Sequence, residues 1–302
     1  IASLESNSQS EVDTFIKNDL EENGYSLKEA KVYINPYGNS PLSAIMIFRT
    51  DKATTVTVTV KGKHDDDLSF EFENATDHYI PIYALYENYE NVVEVTLGSG
   101  EKTEVKIPTI ELENALDTTV NVNNVSQNDD GLYFITTPLN MQSFAIDSYG
   151  EIRWYADAMY FHNIVELDNG HLLIGTAATN GDGLSTQILE IDYLGRVYKT
   201  YEIDSGYVND FTVKDDGNIL LASKNSERET YTEYIIEVDR ETGKVVKTWD
   251  LFEQLRDIDP IYTDDITRSD YFYNSGIEYY PDSDSLLLTY WGGEFVANMS
   301  YK

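Results

Sequence analysis

The stretch IDYLGRVYK, residues 191–199, is apolar at its start, turns at an aspartate and a glycine, and then alternates apolar with polar side chains. Aspartate can hydrogen-bond its own backbone, and glycine accepts a positive φ, so Asp-x-x-Gly is typical of a tight turn. The stretch therefore predicts a β-hairpin. The same form recurs in IDSYGEIRW (146–154) and VDRETGKVVKTW (238–249).

The three hairpins recur at a nearly constant period, because their turn glycines, Gly150, Gly195 and Gly243, lie 45 and 48 residues apart. A second unit, a polar turn followed by an apolar run, alternates with them. Its copies are LDNGHLLIG (167–175), KDDGNILLAS (214–223) and PDSDSLLLTYW (281–291). Two hairpins per period of this length are typical of a four-stranded propeller blade, whereas unrelated hairpins would not keep a period.

The number of blades predicts that further sequence exists. Residues 125–302 hold about three and a half blades, whereas propellers typically close with four to eight. A ring that stopped there would expose an unpaired strand edge. We therefore expect this chain to be a fragment whose ring is completed by additional sequence or by a second chain.

The N-terminal part predicts a different all-β domain. Residues 10–23 have apolar side chains at helical spacing, with Ser10 and Asp13 as a capping box and Gly24 as the stop. Seven short period-two strands follow from Lys31: KVYINPYG, LSAIMIF, TTVTVTVKG, LSFEFEN, YIPIYALY, NVVEVTLGSG and EKTEVKIP. Such regular strands predict an antiparallel β-sandwich. We place its domain at 1–115 and the partial β-propeller at 116–302, with the boundary in the polar stretch 111–124.

The composition excludes several partners. The 302 residues include 21 Lys plus Arg against 54 Asp plus Glu, a formal net charge of -33. Such a surface repels nucleic acid and anionic membranes. The chain has no cysteine, which excludes disulfides, and no apolar run near the roughly 20 residues that span a bilayer. Strong acidity, 24 tyrosines and a start at Ile1 predict a trimmed, exported product that is extracellular, on the cell surface or periplasmic.

The sequence predicts no cofactor. Two acidic stretches are weak candidates for calcium, HDDD (64–67) and DIDPIYTDD (257–265). Neither has the ligand spacing of a recognised calcium loop.

Three segments predict where a binding site would lie. MYFHNIVELDNG, GYVNDFTVKDDG and DYFYNSGIEYYPDSD place His162, Asn209 and Tyr273 just before the inner strand of successive blades. Side chains at such positions converge on the central channel of a propeller. For His162, a structural role in the core is the alternative.

At these positions the chain resembles the bacterial aryl-sulfate sulfotransferases. The resemblance rests on NPYGNSPLSAIMIFRT (35–50), HYIPIYALYENYENVVEVTL (78–97) and the blade form FHNIVELDNGHLLIG (161–175). It implies a six-bladed propeller in an exported protein that moves a sulfuryl group from a phenolic sulfate to a phenol. It also implies a sulfohistidine intermediate, formed on a histidine in a late blade that we expect beyond Lys302.

The family's middle-blade motif is Asp, aromatic, any residue, His, any residue, Asn, with an Arg 18 positions after the His. Asp270, Tyr271 and Phe272 match its frame. The polar positions differ, since the chain has Tyr273 for His, Ser275 for Asn and Trp291 for Arg. His162 keeps its implied role of holding the substrate sulfate. A lost hydrogen bond to a charged group costs about 1.5–3 kcal/mol, so the resemblance implies altered or reduced catalysis.

Two functions therefore remain open. The first is a sulfotransferase with altered or reduced activity, whose partners are a phenolic sulfate and a phenol. The second is a noncatalytic extracellular propeller for ligand binding or surface assembly, as a homo-oligomer or with a second chain that completes the ring. Tyr273 can donate a hydrogen bond and Trp291 can stack on an aromatic or sugar ring, but both can equally plug a narrowed channel.

Overall fold

The computed structural model describes residues 8–64, 66–112, 131–137, 142–157, 160–225, 227–258 and 269–302. It divides into two compact units. The first comprises Ile1–Met159 with Ile191–Val197, and the second Tyr160–Glu190 with Tyr198–Lys302. Strands dominate the described residues, so the predicted all-β class is confirmed. The predicted boundary in 111–124 falls almost entirely outside the described residues and stays a prediction.

The first unit begins with helix α1 (Gln9–Asn23), whose buried side chains Val12, Ile16 and Leu20 pack on the adjacent sheet. Gly24 ends the helix with a φ of 57°, as predicted. The capping prediction was wrong, because the helix is capped by Ser8, two residues before the predicted Ser10. The backbone N–H of Ser8 donates a 2.9 Å hydrogen bond to the carboxylate of Glu11, which forms the capping box.

Five antiparallel strands follow the helix and form one bent sheet. Two of them are long, because β2 and β3 each join two predicted short strands into one. The strands are β1 (Lys31–Ile34), β2 (Ala44–Val60), β3 (Leu68–Ile82), β4 (Glu90–Leu97) and β5 (Lys102–Pro108).

The bent sheet encloses its core like a sandwich. The first half of β2 pairs with β1 and its second half with β4, while β3 pairs along both halves. The register shifts between Arg49 and Val56, where the sheet bends. Met46 and Phe48 from the first half and Val58 from the second are all fully buried in one hydrophobic cluster. Alternate side chains of the two halves therefore fill the same core, as the predicted sandwich requires.

A three-stranded meander, β6 (Tyr133–Thr137), β7 (Gln142–Ile146) and β8 (Ile152–Ala156), belongs to the same unit. The predicted Asp-initiated turn joins β7 to β8. There the N–H of Gly150 donates to the carbonyl of Asp147 at 3.0 Å, and Gly150 has a φ of 82°.

The second unit consists of two consecutive sheets and a short helix, α2 (Leu251–Ile258). Seven strands form the first sheet in sequence order, and three form the second. The strands of the first are β9 (Tyr160–Glu166), β10 (Leu172–Thr176), β11 (Ser185–Ile191), β12 (Val197–Val213), β13 (Ile219–Ser223), β14 (Tyr234–Val238) and β15 (Val245–Asp250). Those of the second are β16 (Asn274–Tyr280), β17 (Ser285–Tyr290) and β18 (Phe295–Ser300).

The long strand β12 belongs to two successive four-stranded blades. Its first part lies beside β11, and its second part, from Tyr207, pairs with β13. Gly206 stands between the parts with a φ of 75°, and a Cβ there would lie 2.4 Å from the Cβ of Leu184. Only glycine fits this close approach without strain. The blades are thus β9 to β12 and β12 to β15, which confirms the predicted two hairpins per period.

Candidate functional site

The predicted site residues His162, Asn209 and Tyr273 lie at one end of the second unit, which we call the His162 end. Because neighbouring strands are antiparallel, β9 and β16 begin where β10, β13 and β17 end. The pairs Tyr160↔Thr176, Tyr207↔Ser223 and Asn274↔Tyr290 mark this end. The loop between β13 and β14 and the turn between β17 and β18 lie there as well.

His162 is half-buried and neutral at pH 7. Its Nε2 lies 2.6 Å from the Oγ of Ser185, and its ring centroid lies 5.5 Å from that of Tyr207. Burial lowers the pKa of His162 to about 4, although a hydrogen bond to the backbone of Asn209 acts in the opposite direction. At this pKa the imidazole can hold a ligand by a hydrogen bond, but it carries no charge for an anion.

His162 and Asn209 occupy equivalent positions in successive blades. Both have a positive φ, 71° and 58°, which is uncommon outside glycine. Asn209 also reaches the next sheet, because its Nδ2 donates a 2.7 Å hydrogen bond to the carbonyl of Asn274. The backbone at the equivalent positions of β9 and β12 is thus held in an uncommon conformation, of the kind that clusters at binding sites.

Asp210 is a central residue that the sequence reasoning missed. Its Oδ1 accepts hydrogen bonds from the Nδ2 of Asn163 (2.8 Å) and the N–H of Phe211 (2.9 Å). Its Oδ2 accepts one from the N–H of Ile277 at 3.0 Å. Burial raises the pKa of Asp210, although these hydrogen bonds oppose the rise. The carboxylate therefore links the three inner strands β9, β12 and β16.

A sequence signal for Asp210 existed. In both FHNI and VNDF a second polar residue directly follows the candidate, which aligns Asn163 with Asp210. Two adjacent polar residues before a buried strand interrupt the period-two pattern, and such interruptions are expected at functional or strained positions.

Tyr273 and Trp291 are in contact, with ring centroids 6.2 Å apart and planes at 78°. Tyr231, from the loop between β13 and β14, makes a similar contact with Tyr273, at 6.0 Å and 73°. We call these three residues the aromatic cluster. The Trp291 side chain is 69% exposed. The pair predicted at the His and Arg positions of the motif therefore forms an aromatic surface.

The surroundings of Ser275 differ from those of the aromatic cluster. It is exposed, and the register of β16 against β17 shifts between Asn274 and Gly276. The neighbouring Asn274 is fully buried and donates to the carbonyls of Gly276 (3.1 Å) and Thr289 (3.2 Å). The buried polar side chain at this strand start is thus Asn274, one residue before the predicted position.

The cations beside the aromatic cluster have carboxylate partners. Lys224 lies 5.9 Å from the Tyr231 ring centroid, and its Nζ is 2.8 Å from a carboxylate oxygen of Asp182. The hydrogen bond to Asp182 raises the pKa of Lys224. Arg228, in the same loop, forms a bidentate pair with Asp250 at 2.7 and 2.9 Å. These pairs neutralise the positive charge that a sulfate would need.

The loop that carries Tyr231 is anchored by two neighbouring buried residues. Thr232 Oγ1 donates to the carbonyl of Phe272 at 2.6 Å and accepts from the N–H of Asn274 at 3.2 Å. Glu233 is fully buried and accepts from the N–H of Asn225 at 3.2 Å. Burial raises the pKa of Glu233 to about 7.

The acidic stretches show no metal centre within the described residues. Asp67 pairs with Lys61 at 2.7 Å, and Asp66 lies 3.3 Å from Arg153. Across the described part of the chain no three histidine or carboxylate side chains are grouped to hold a metal. Residues 259–265 of the second calcium candidate lie outside the described residues, and Asp65 does too.

Of the helices in the described segments, neither α1, with 15 residues, nor α2, with 8, has the length and apolarity that crossing a membrane requires.

Two family profiles match the chain. The profile described as Arylsulfotransferase (ASST) matches residues 117–302, and the Arylsulfotransferase Ig-like domain matches 31–115. Arylsulfate sulfotransferase AssT of Lelliottia amnigena is 24% identical over 76% of this chain and 50% of its own. The AssT of Escherichia coli O6:H1 strain CFT073 is 23% identical over 73% of this chain and 48% of its own. The chain thus spans about half the length of the curated relatives it matches.

Solved structures resemble the chain only weakly. The WD40 beta propeller domain of Doa1 has a TM-score of 0.39 at 10% identity, covering 86% of this chain and 75% of that one. The glutaminyl cyclase of Myxococcus xanthus has a TM-score of 0.38 at 12% identity, covering 70% and 86%.

Proposed function

The chain belongs to the arylsulfotransferase family, and on that premise we propose that it acts in sulfuryl transfer from a phenolic sulfate to a phenol through a histidine. The observation that carries the proposal is His162. It lies near the start of β9, the first inner strand of the second unit, and the family resemblance assigns the substrate sulfate to this position. Its neutral imidazole would hold a sulfate oxygen by a hydrogen bond that replaces the one to the hydroxyl of Ser185.

The proposed reaction has two balanced steps. In the first, a histidine nitrogen attacks sulfur, an S–N bond forms, the S–O bond to the donor breaks, and the phenolate takes a proton from a general acid. In the second, the acceptor phenol gives its proton to the same group, now a base, while its oxygen attacks sulfur, the S–N bond breaks and the histidine nitrogen regains its lone pair. Hydrogen-bond donors that face the equatorial oxygens lower both barriers.

We propose that catalysis is altered or reduced relative to the family, because all three polar positions of the motif, Tyr273, Ser275 and Trp291, carry other side chains than in the family. Tyr273 retains one hydroxyl where the family has an imidazole, but Trp291 supplies an indole where the family has a guanidinium. In addition, Lys224 and Arg228 are already paired with carboxylates. A sulfate would therefore be bound with fewer charge-assisted hydrogen bonds.

The test is sulfuryl transfer by the protein as its source organism makes it. With 4-nitrophenyl sulfate as donor, the proposal predicts release of 4-nitrophenol that depends on an added phenol, with sulfated phenol as the second product. His162→Ala should reduce kcat/KM by about tenfold or more. An exposed histidine, His64→Ala, is the matched control and should leave kcat/KM unchanged. A folded protein that sulfates no phenol would reject the proposal.

A second function is favoured by the exposure of Trp291. A noncatalytic propeller that binds a ligand with its aromatic surface, or assembles at the cell surface, would need neither the histidine nor the arginine of the motif. Finding sulfohistidine in protein exposed to an aryl sulfate would exclude this function.

We also propose that the protein is exported and that additional sequence or a second chain completes its ring. The acidity of the chain supports export, and the match to half of each curated relative supports a longer protein. Cell fractionation and the intact mass of the native protein test both points. A cytoplasmic protein with the mass of these 302 residues alone, monomeric in solution, would contradict them.

A further inference from the structure

The aromatic cluster is held by its backbone. The N–H of Tyr231 donates to the carbonyl of Ser269 at 2.9 Å, and the N–H of Trp291 donates to the carbonyl of Tyr273 at 3.0 Å. These bonds fix the backbone that carries two of the three rings.

The turn that carries Trp291 is also tightly packed. A Cβ on Gly292 would lie 1.6 Å from the carbonyl oxygen of Asp270, so the turn sits directly on the segment before Tyr273. Beneath it, Tyr271, Phe272 and Tyr290 are buried in one hydrophobic cluster. The turn that carries Trp291 therefore lies on a packed core.

Trp291 differs from the other two tryptophans in its exposure. Trp154 and Trp249 are 1% and 8% exposed, whereas Trp291 is 69% exposed. The preceding residue, Tyr290, is buried in the hydrophobic core and only 2% exposed. A large aromatic side chain kept outside in this way is informative, because burying it would stabilise the fold.

The charge around the cluster decides which ligand fits. Lys224 is paired with Asp182, and Glu229 is a second carboxylate within electrostatic reach of Lys224. The local charge is therefore neutral to negative, in a chain with a net charge of -33. A sulfate group would therefore not be held at the cluster itself, whereas an uncharged aromatic ring would not be repelled there.

The cluster is also continuous with the His162 site. His162 hydrogen-bonds the backbone of Asn209, whose side chain donates to the carbonyl of Asn274. Asn274 directly follows Tyr273. A ring bound on the cluster would thus lie on the same end of the inner strands as the residue assigned to the sulfate.

We propose that Tyr231, Tyr273 and Trp291 form the binding site for the ring of the uncharged phenolic acceptor. The inference rests on the proposed function, which supplies the reason for an acceptor. An aromatic ring would pack edge-to-face or offset against the exposed indole, the arrangements that aromatic pairs favour. The sulfate group of the donor would lie towards His162, and the donor's ring would occupy the same surface before its phenolate leaves, because both steps place a phenol oxygen opposite the same histidine nitrogen.

Binding without turnover tests the inference. The dissociation constant of 4-methylphenol for the native full-length protein is measured by calorimetry at pH 7, with 4-methylcyclohexanol as the nonaromatic control ligand. Trp291→Ala and Tyr273→Ala should each weaken the binding of 4-methylphenol by about three- to tenfold. Trp291→Phe should weaken this binding less, because a ring remains. Tyr280→Ala removes another exposed tyrosine, 46% exposed at the opposite end of β16, and should have no effect.

Several results would overturn the inference: no binding of 4-methylphenol, equal binding of 4-methylcyclohexanol, or dissociation constants unchanged in Trp291→Ala and Tyr273→Ala. Its failure is distinguishable from failure of the proposed function. If the protein transfers sulfuryl groups and the KM for the acceptor is unchanged in Trp291→Ala and Tyr273→Ala, the acceptor site is rejected and the proposed transferase function is retained. Ring-dependent binding without transfer to any phenol rejects the transferase and leaves a ring-binding site.

Discussion

The Nδ2 of Asn209 donates a 2.7 Å hydrogen bond to the carbonyl oxygen of Asn274, which lies 65 residues further along the chain. The bond joins the inner part of β12 to the start of β16, two strands of different sheets. It therefore ties the starts of two inner strands to each other across neighbouring sheets.

Asn209 should be sensitive to substitution for two separable reasons. Asn209→Ala loses the hydrogen bond, about 1 kcal/mol, and also strains a φ of 58°, about 1–2 kcal/mol more. Asn209→Gly loses the bond but keeps the backbone conformation. We therefore expect Gly to destabilise less than Ala in urea denaturation. Equal losses in the two variants would show that the backbone conformation contributes nothing.

Asp210 should matter more than an ordinary surface carboxylate. Asp210→Ala leaves the N–H of Ile277 without its acceptor, and a buried unsatisfied donor costs about 1–3 kcal/mol. Asp204→Ala, on the exposed side of β12, is the control and should change stability by less than about 0.5 kcal/mol. Equal effects of the two substitutions would contradict the linking role of Asp210.

Glu233 should make stability fall as the pH approaches neutrality. Burial raises its pKa to about 7, so the folded protein keeps the proton while the unfolded chain releases it near 4.5. The free energy of unfolding should therefore decrease between pH 4.5 and about 7 and stay level above, by about 1.4 kcal/mol for each unit of pKa difference.

Glu233→Gln tests this directly, because glutamine keeps the shape without the titration. The variant should lack the decrease and should be more stable than the parent above pH 7. If Glu233→Gln left the pH profile of the unfolding midpoint unchanged, the folded and unfolded states would bind the Glu233 proton equally, which would contradict the raised pKa.

Glu190 should act in the opposite direction. Burial alone would raise its pKa, but hydrogen bonds lower it to about 2, from Arg240, His171, Asn169 and Tyr201. The folded protein thus stays ionised where the unfolded chain takes up a proton, and the stabilisation present above pH 4.5 is lost as the pH falls to about 2. Glu190→Gln should lower stability at pH 7 and flatten this acid limb. If the variant still lost the same stability between pH 4.5 and about 2, that loss would come from other groups than Glu190.

Much of the fold followed from turn chemistry. Gly150, Gly195 and Gly243 all have a positive φ, in turns where each N–H bonds the carbonyl of the initiating aspartate. Such turns are local, so the sequence alone predicts them. The joining of short strands into β2 and β3 was not predictable, because polar residues in a bend look like a loop when the partner strand is unknown.

The site was less predictable than the fold. The positions of His162 and Asn209 follow from alignment of the blade starts, but the bonds of Asp210 depend on strands 47 and 67 residues away. The shift that buries Asn274 instead of Ser275 is a β-bulge, and an irregularity of one residue leaves no trace in an alternating pattern. Tyr231 was missed because its loop meets Tyr273 only in the folded protein.

The central claim is that this chain belongs to a protein that transfers sulfuryl groups between phenols. Mass spectrometry of the products formed from 4-nitrophenyl sulfate and 4-methylphenol by the native protein tests it most directly. The account predicts 4-methylphenyl sulfate, formed in proportion to the 4-nitrophenol released and reduced by about tenfold or more in His162→Ala. Release of 4-nitrophenol with no sulfated acceptor, or no reaction by a folded protein, would contradict it.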